Sequence, residues 1–412
     1  MNALAARLRR TSGEERVFGG ALIILALHIV TDTVFSGGSA HILGATAAIV
    51  LAPALFALFL RAGRLGRTVL AVLPGLGATA VGLALYAAPA ALAGPSGADY
   101  TGIFLTAAGF VLIGLAFRIA FKGRRRRIKL LGIPAAIAVL VWVVFPAVFA
   151  GIVTSGPHPS VAGAATLGLP GARDVTFPAT DGVRLAGWYV PGRNGGAVIL
   201  MHGSHDTRAD TIRHLRLLAR AGYAVLAYDA RGHGQSGGKT NALGWHADPD
   251  VAGAVRFLRL QHGVDLHRIA ALGLSMGAEE ALRAAADGVP LNAVVADGAG
   301  ASTLGDMRLS SNGPLTPVLL SASWLSFRED ELISGDDEPA PLKDIVGRIR
   351  VPVLLIASND GGERTIDEAF RARIGDRALL WYVPDAGHTK ALVVHPAAYT
   401  SRVSTFLASS LR

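Results

Sequence analysis

The stretch "RIAALGLSMGAEEALRAAA", residues 268–286, carries a Gly-x-Ser-x-Gly between a short apolar run and an Ala/Glu/Leu-rich helical pattern. A serine hydroxyl becomes a useful nucleophile only when a base removes its proton, so Ser275 raises the question of a partner. The chain holds 50 Gly, and a second match, "GQSGG" at Gly234–Gly238, offers Ser236 as a rival. Position separates the two. Ser275 stands at a strand-to-helix junction, where a sharp turn lifts the hydroxyl above the sheet edge and Gly273 and Gly277 let the backbones pass closely. The helix start also aims backbone N–H groups and a positive dipole end at the place where an oxyanion would form. Ser236 lies in "RGHGQSGGKTNALG", with neither a strand nor a helix at hand, and reads as turn chemistry.

The elements expected to position these groups begin near residue 172. "VRLAGWYV" alternates, whereas "GAVILMHG", "YAVLAYDAR", "RIAALGLS", "LNAVVADG", "VPVLLIAS" and "RALLWYVP" are mostly continuous apolar runs, as in strands covered on both faces. Helical patterns such as "RADTIRHLRLLARAG" and "DVAGAVRFLRLQHG" lie between most of them. Such alternation predicts a mostly parallel sheet with right-handed crossovers and active groups at the strands' C-terminal ends.

This part of the chain resembles the α/β-hydrolase family. The resemblance rests on "DGVRLAGWYVPG", "ILMHGS", "YDARGHGQSGG", "GLSMGA", "VPVLLIASND" and "VPDAGH", in that order, over about residues 172–408. It implies a serine hydrolase with the order Ser, acid, His. Of the twelve His, His388 in "VPDAGHTKA" directly follows the last strand and is the expected base, while His395, before Pro396, reads as a surface residue. Asp360, after "VPVLLIASN", is the expected acid, which would hold the imidazole in one tautomer. The family loop is commonly longer, often with Gly ahead of the acid, and this departure leaves Glu363 and Asp297 open as alternatives. The oxyanion donors expected are the backbone N–H groups of Met276 and Ser204. His202 resembles the His of the family's His-Gly turn and is expected to shape the loop, with Gly203 and His205 beside the pocket. Residues 301–345 occupy the place of a cap. Their apolar "LTPVLLSASWLSF" would favour an acyl or otherwise greasy substrate.

The first 154 residues are of another kind. Five stretches, near 17–35, 41–60, 68–92, 101–121 and 130–153, are long and apolar enough to cross a bilayer. Residues 1–154 hold 14 Lys/Arg against 4 Asp/Glu, whereas residues 155–412 hold 25 against 26, so the net charge of +9 belongs to the apolar half and gives nucleic-acid binding no support. Basic residues precede the first stretch (Arg7, Arg9, Arg10, Arg16) and follow the second (Arg61, Arg64, Arg67) and the fourth ("FKGRRRRIK"), while "SGGSA" and "GPSGADY" carry none. With five crossings this puts a multi-pass anchor in the cell membrane and the hydrolase-like domain outside the cytoplasm. A re-entrant third stretch, broken at Pro74, Gly75 and Gly77, would reverse that conclusion. The first stretch is too long for a removable signal and is expected to stay as an anchor. Residues 155–171 read as a linker.

His28 and Asp32, four apart, would share one helical face; the simpler reading is a hydrated pair near the helix end. The acidic Asp336, Asp337 and Glu338 read as a solvated turn, and with no zinc or phosphate-loop pattern no cofactor or metal is inferred. There is no Cys, so disulfides are excluded. The reading is a membrane-anchored serine hydrolase of an ester or related acyl bond, with a peptidase or thioesterase using the same groups as the alternative. A second alternative is a transport or sensory protein whose hydrolase-like domain only binds.

Overall fold

The computed structural model describes residues 12–36, 51–83, 97–123, 132–155, 160–241 and 243–412. The chain divides into two compact units, Met1–Ile152 and Val153–Arg412.

In the first unit, three helices are long and apolar enough to cross a membrane: Arg64–Gly82, Phe104–Phe121 and Pro134–Val153. The first expected stretch lies inside the helix Gly13–Ser36. The second is described only from Leu51, as the shorter apolar helix Leu51–Arg61. The basic run beyond Gly123 lies outside the described residues, as does the side chain of Asp32; His28 is buried. The third stretch is not broken at Pro74, because the helix Arg64–Gly82 runs through it. Small residues explain how that helix meets its neighbour Gly97–Phe121: a Cβ on Gly109 would lie 2.4 Å from Thr79 Oγ1 and 2.9 Å from the Gly75 carbonyl oxygen. The two backbones touch, as apolar helices do when van der Waals packing alone must join them. Lys122 pairs with Glu14 at 2.7 Å and Arg67 with Glu15 at 3.5 Å, and Gly132 lies beside Phe121. These contacts gather the starts of Gly13–Ser36, Arg64–Gly82 and Gly132–Val139 and the end of Gly97–Phe121 at one end of the bundle.

The second unit is built on one eight-stranded sheet: β1 (Arg173–Pro178), β2 (Arg184–Val190), β3 (Ala197–Met201), β4 (Ala224–Tyr228), β5 (Ile269–Leu274), β6 (Ala293–Asp297), β7 (Val353–Ala357) and β8 (Ala378–Tyr382), in the order β1-β2-β4-β3-β5-β6-β7-β8. β1 and β2 are antiparallel to their neighbours, and the other pairs are parallel. The continuous apolar runs follow from two-sided burial. In β3, Ile199 and Met201 enter one core and Val198 and Leu200 the other, and β4 to β7 divide in the same way. The helices that matter for the site are α1 (Ile212–Arg220), α2 (Asp248–Arg259), α3 (Met276–Ala286), α4 (Leu304–Ser310), α5 (Thr316–Ser334), α6 (Glu363–Ile374) and α7 (Pro396–Ser410). α4 and α5 lie between β6 and β7, within the stretch expected as a cap. The stretch expected as a linker is shorter than 155–171, because Val161, Ala164 and Leu167 are buried in the domain's own core.

Overpacking a close helix contact typically destabilises by about 1–3 kcal/mol. In detergent, Gly109→Val should therefore lower the thermal midpoint of the first unit, whereas Gly114→Val, where a Cβ meets nothing within 4 Å, should leave it unchanged.

Candidate active site

β5 ends at Leu274 and α3 begins at Met276, so the whole reversal falls on Ser275, with φ 52° and ψ −118°. An L-residue at positive φ is strained, on the order of 1–3 kcal/mol, and persists only where its surroundings over-determine it. Here they do. Ser275 N–H donates to Asp297 O at 2.8 Å and Gly277 N–H to His202 O at 3.2 Å. A Cβ on Gly273 would sit 2.0 Å from Gly277 O, and one on Gly277 would sit 2.7 Å from His202 O. Met276 opens α3, so its N–H belongs to the first-turn donors that no intrahelical carbonyl can satisfy.

His388 Nε2 lies 2.8 Å from Ser275 Oγ, across 113 residues of sequence. The carboxylate on its other nitrogen is Glu363: Nδ1 to Oε1 is 2.5 Å. This departs from the expectation of Asp360. Asp360 instead accepts the backbone N–H of His388 at 2.8 Å, so it clasps the loop and leaves the ring to Glu363. The cause is the turn "DGGE": Gly361 and Gly362, at φ 57° and 79°, reverse the chain and start α6 at Glu363. The longer side chain then reaches back toward the strand end, where Ser358 N–H donates to Oε2 at 2.7 Å. A charge at this first helical position also gains from the dipole. Asp297, the other alternative, accepts the Tyr399 hydroxyl at 2.9 Å.

The loop after β3 forms the opposite wall. His202 Nδ1 lies 2.7 Å from Gly203 O and Nε2 accepts Ala230 N–H at 2.9 Å, which fixes Nδ1 as the protonated nitrogen. Burial holds its pKa down to about 4, so it is neutral and shapes the loop. Gly203 leaves space beside Ser275, where a Cβ would be 3.3 Å from the serine Cβ. Ser204 follows, and His205 takes φ 59° with its pKa lowered by burial. Sequence reasoning missed what anchors this loop. Arg208 and Asp229 form a buried ion pair, Arg208 N–H and Gln235 N–H both donate to the Asp229 carboxylate, and the guanidinium lies 5.1 Å from the centre of the Trp188 ring. "YDARGHG" holds the signal, an acid one residue past a buried strand.

Electrostatics around His388 favour its charged form. Its pKa is raised above 6.5, first by the hydrogen bond to Glu363 and against its own burial. Burial pushes Asp297 and Glu279 up to about 7 and Asp367, one turn beyond Glu363 on α6, well above the usual carboxylate range. The remaining candidates lie elsewhere. Ser236 is buried, donating to Asp229 O at 2.6 Å and accepting Ala186 N–H at 2.9 Å. His395 pairs with Asp385 at 2.9 Å. Glu338, from the acidic turn, holds Arg328 at 2.8 Å and the Leu304 N–H at 2.7 Å. Among the described residues, no group of three or more His, Asp or Glu is arranged to hold a metal.

The family model for serine aminopeptidase, S33, matches residues 192–307. The Pyrococcus furiosus esterase Pf2001 superposes with a TM-score of 0.51 at 25% identity, over 62% of this chain and 98% of that one. The chain carries an α/β-hydrolase domain. Among curated relatives, the uncharacterized protein Rv2307c of Mycobacterium tuberculosis is 28% identical over 263 residues, 62% of this chain and 84% of that one. Thiohydrolase aneE of Aspergillus aculeatus is 32% identical over 119 residues, 27% of this chain and 36% of that one.

The two carboxylates are separable by titration. With a folded pKa above 6.5, the His388 ring keeps its proton to higher pH than a free histidine. Followed by NMR, its midpoint should fall in Glu363→Gln, which removes the charge beside Nδ1, and stay near the native value in Asp360→Asn, which keeps an acceptor for the His388 backbone N–H and leaves the ring's partner in place.

Proposed function

We propose that the protein is a membrane-anchored serine hydrolase that cleaves a carboxylic ester or related acyl bond through an acyl-enzyme. The observation carrying this reading is the continuous chain from Ser275 Oγ through His388 to Glu363, at 2.8 and 2.5 Å, on a strained strand-to-helix turn. Ser275 Oγ attacks the acyl carbon while His388 Nε2 takes its proton. The Met276 and Ser204 N–H groups stabilise the resulting oxyanion, each such donor being worth about 10²–10³ in rate. When the tetrahedral adduct collapses, the leaving oxygen takes the proton from His388. Water, deprotonated by the same nitrogen, then releases the acid and restores Ser275. Glu363 holds the Nδ1–H tautomer and stabilises the imidazolium, and Asp360 positions the His388 loop.

An ester is favoured by the esterase neighbour; amides and thioesters use the same steps. The anchor reading is supported by the three long apolar helices and by the collection of Arg64, Arg67 and Lys122 at one end of their bundle. Cytoplasmic ends retain basic residues, and the helix ending at Val153 starts at that end, so the domain after it lies on the outer side.

A fluorophosphonate probe should label the folded protein, and Ser275→Ala should abolish labelling and lower ester turnover by about 10⁶-fold. Folded protein that resists the probe would instead indicate a binding domain. Because only neutral His388 can accept the serine proton, kcat/KM should fall as pH drops through a midpoint above 6.5. Glu363→Gln should reduce kcat/KM by about 10⁴-fold and move the midpoint down. Asp360→Asn should cost no more than about 10²-fold, the scale of one charge-assisted hydrogen bond. Protease protection on sealed cells, with the domain cleaved from outside, checks the topology.

A further inference from the structure

The cap helix α5 is only partly covered by the domain. Ala322, Ser326 and Phe327 are buried, yet Leu315 and Leu319, which continue the face of Ala322 and Ser326 toward the N-terminus at spacings of three and four, are 65% and 57% exposed. The buried face therefore runs on past the edge of the domain for about 10 Å at 1.5 Å per residue. From Leu309 to Phe327 the sequence carries no charged residue, while Arg308 and Arg328 flank the run. A soluble surface of that length is ordinarily interrupted by charge.

Three further observations place this overhang. α4 and α5 follow β6 and precede β7, so they lie at the same C-terminal edge of the sheet as Ser275 and Glu363. Ser310, at the end of α4, sits against Gly362, where an added Cβ would come within 2.5 Å of it, immediately before Glu363. Val393 and Val394, a few residues past His388, are also exposed. The last candidate span ends at Val153. The next anchored residue is Val161, only eight residues after Val153, which an extended chain covers in at most about 29 Å.

We propose that the hydrolase domain rests its catalytic edge on the bilayer, with the first turns of α5 in the interfacial region, and that its substrate is a long-chain acyl ester drawn from the membrane. This rests on the hydrolase and anchor readings above and names the substrate class of that site. An uncharged apolar overhang, on a domain tethered within about 29 Å of a candidate span, is covered by lipid at no further requirement. Arg328 is held by Glu331 and Glu338, so it is Arg308, ahead of the run, that would keep its guanidinium at the headgroup level.

The test uses the full chain in phosphatidylcholine vesicles. Because the protein has no Cys, a single L319C carrying an NBD fluorophore reports one site. Its emission should be blue-shifted and quenched by nitroxide-labelled lipid, while NBD at L260C, before β5 at the opposite sheet edge and 82% exposed, should emit as in water. In L315S/L319S the ratio of turnover on a vesicle-embedded long-chain ester to that on p-nitrophenyl acetate should fall about tenfold. Water-like emission at position 319, or an unchanged ratio, overturns the proposal. So does emission shielded from iodide yet untouched by nitroxide lipid, which indicates a protein partner. Failure of the readings beneath it looks different: wild-type protein inert on both esters removes the hydrolase, and release by alkaline carbonate removes the anchor.

Discussion

The backbone of Ser275 is the constraint on which the site depends. A residue at φ 52° between a buried strand and a helix is disfavoured locally, and it survives because every alternative breaks something larger. Relaxing it would cost the hydrogen bond to Asp297 O and would separate Gly277 from His202 O, the contact that ties α3 to the loop after β3. The same pinning presents Oγ to His388 and leaves the Met276 N–H among the first-turn donors of α3. Gly273 and Gly277 are required because they sit where two backbones already touch, closer than a methyl group allows.

The second dependence is electrostatic. Glu363 is nearly inaccessible, while His388 is close to half exposed, so the pair joins a dry carboxylate to an imidazole at the mouth of the site. Asp297 and Glu279 act through space on both His388 and Asp367, and burial pushes all three carboxyl groups upward, Asp297 and Glu279 to about 7. Burial also strengthens the Glu363 to His388 attraction, because water screens it less.

Much of this was legible because it follows from short-range rules. Continuous apolar runs announce two-sided burial, and the strand-to-helix position distinguishes Ser275 from Ser236, whose hydroxyl is consumed by Asp229 O and Ala186 N–H. The choice between Asp360 and Glu363 was not legible, since it depends on where two glycines turn the chain. Asp360 is nearer the strand in sequence, but after Gly361 and Gly362 it is Glu363 whose carboxylate meets the ring. The Arg208 to Asp229 pair escaped for a similar reason: its partners are 21 residues apart and meet only after β3 and β4 have paired. The extent of the linker depended on the burial of Val161, Ala164 and Leu167, short apolar residues that mark no element by themselves.

The two units differ in what joins their parts, and the difference bears on how the site is used. In the hydrolase domain the apolar groups leave water, so large branched side chains dominate the two cores. In the helical unit the tightest junction is made by Gly75, Thr79, Gly82, Thr106 and Gly109, residues that add little burial but let backbones meet, while Leu73, Phe104 and Phe110 face outward. That inversion is expected when the surrounding solvent is itself hydrocarbon. The overhang of α5 follows the pattern of the helical unit although it is part of the hydrolase domain: Leu315 and Leu319 face outward from a segment without charge. An edge of the hydrolase domain that shares the outward chemistry of the candidate spans is what the proposed membrane-drawn acyl ester would require.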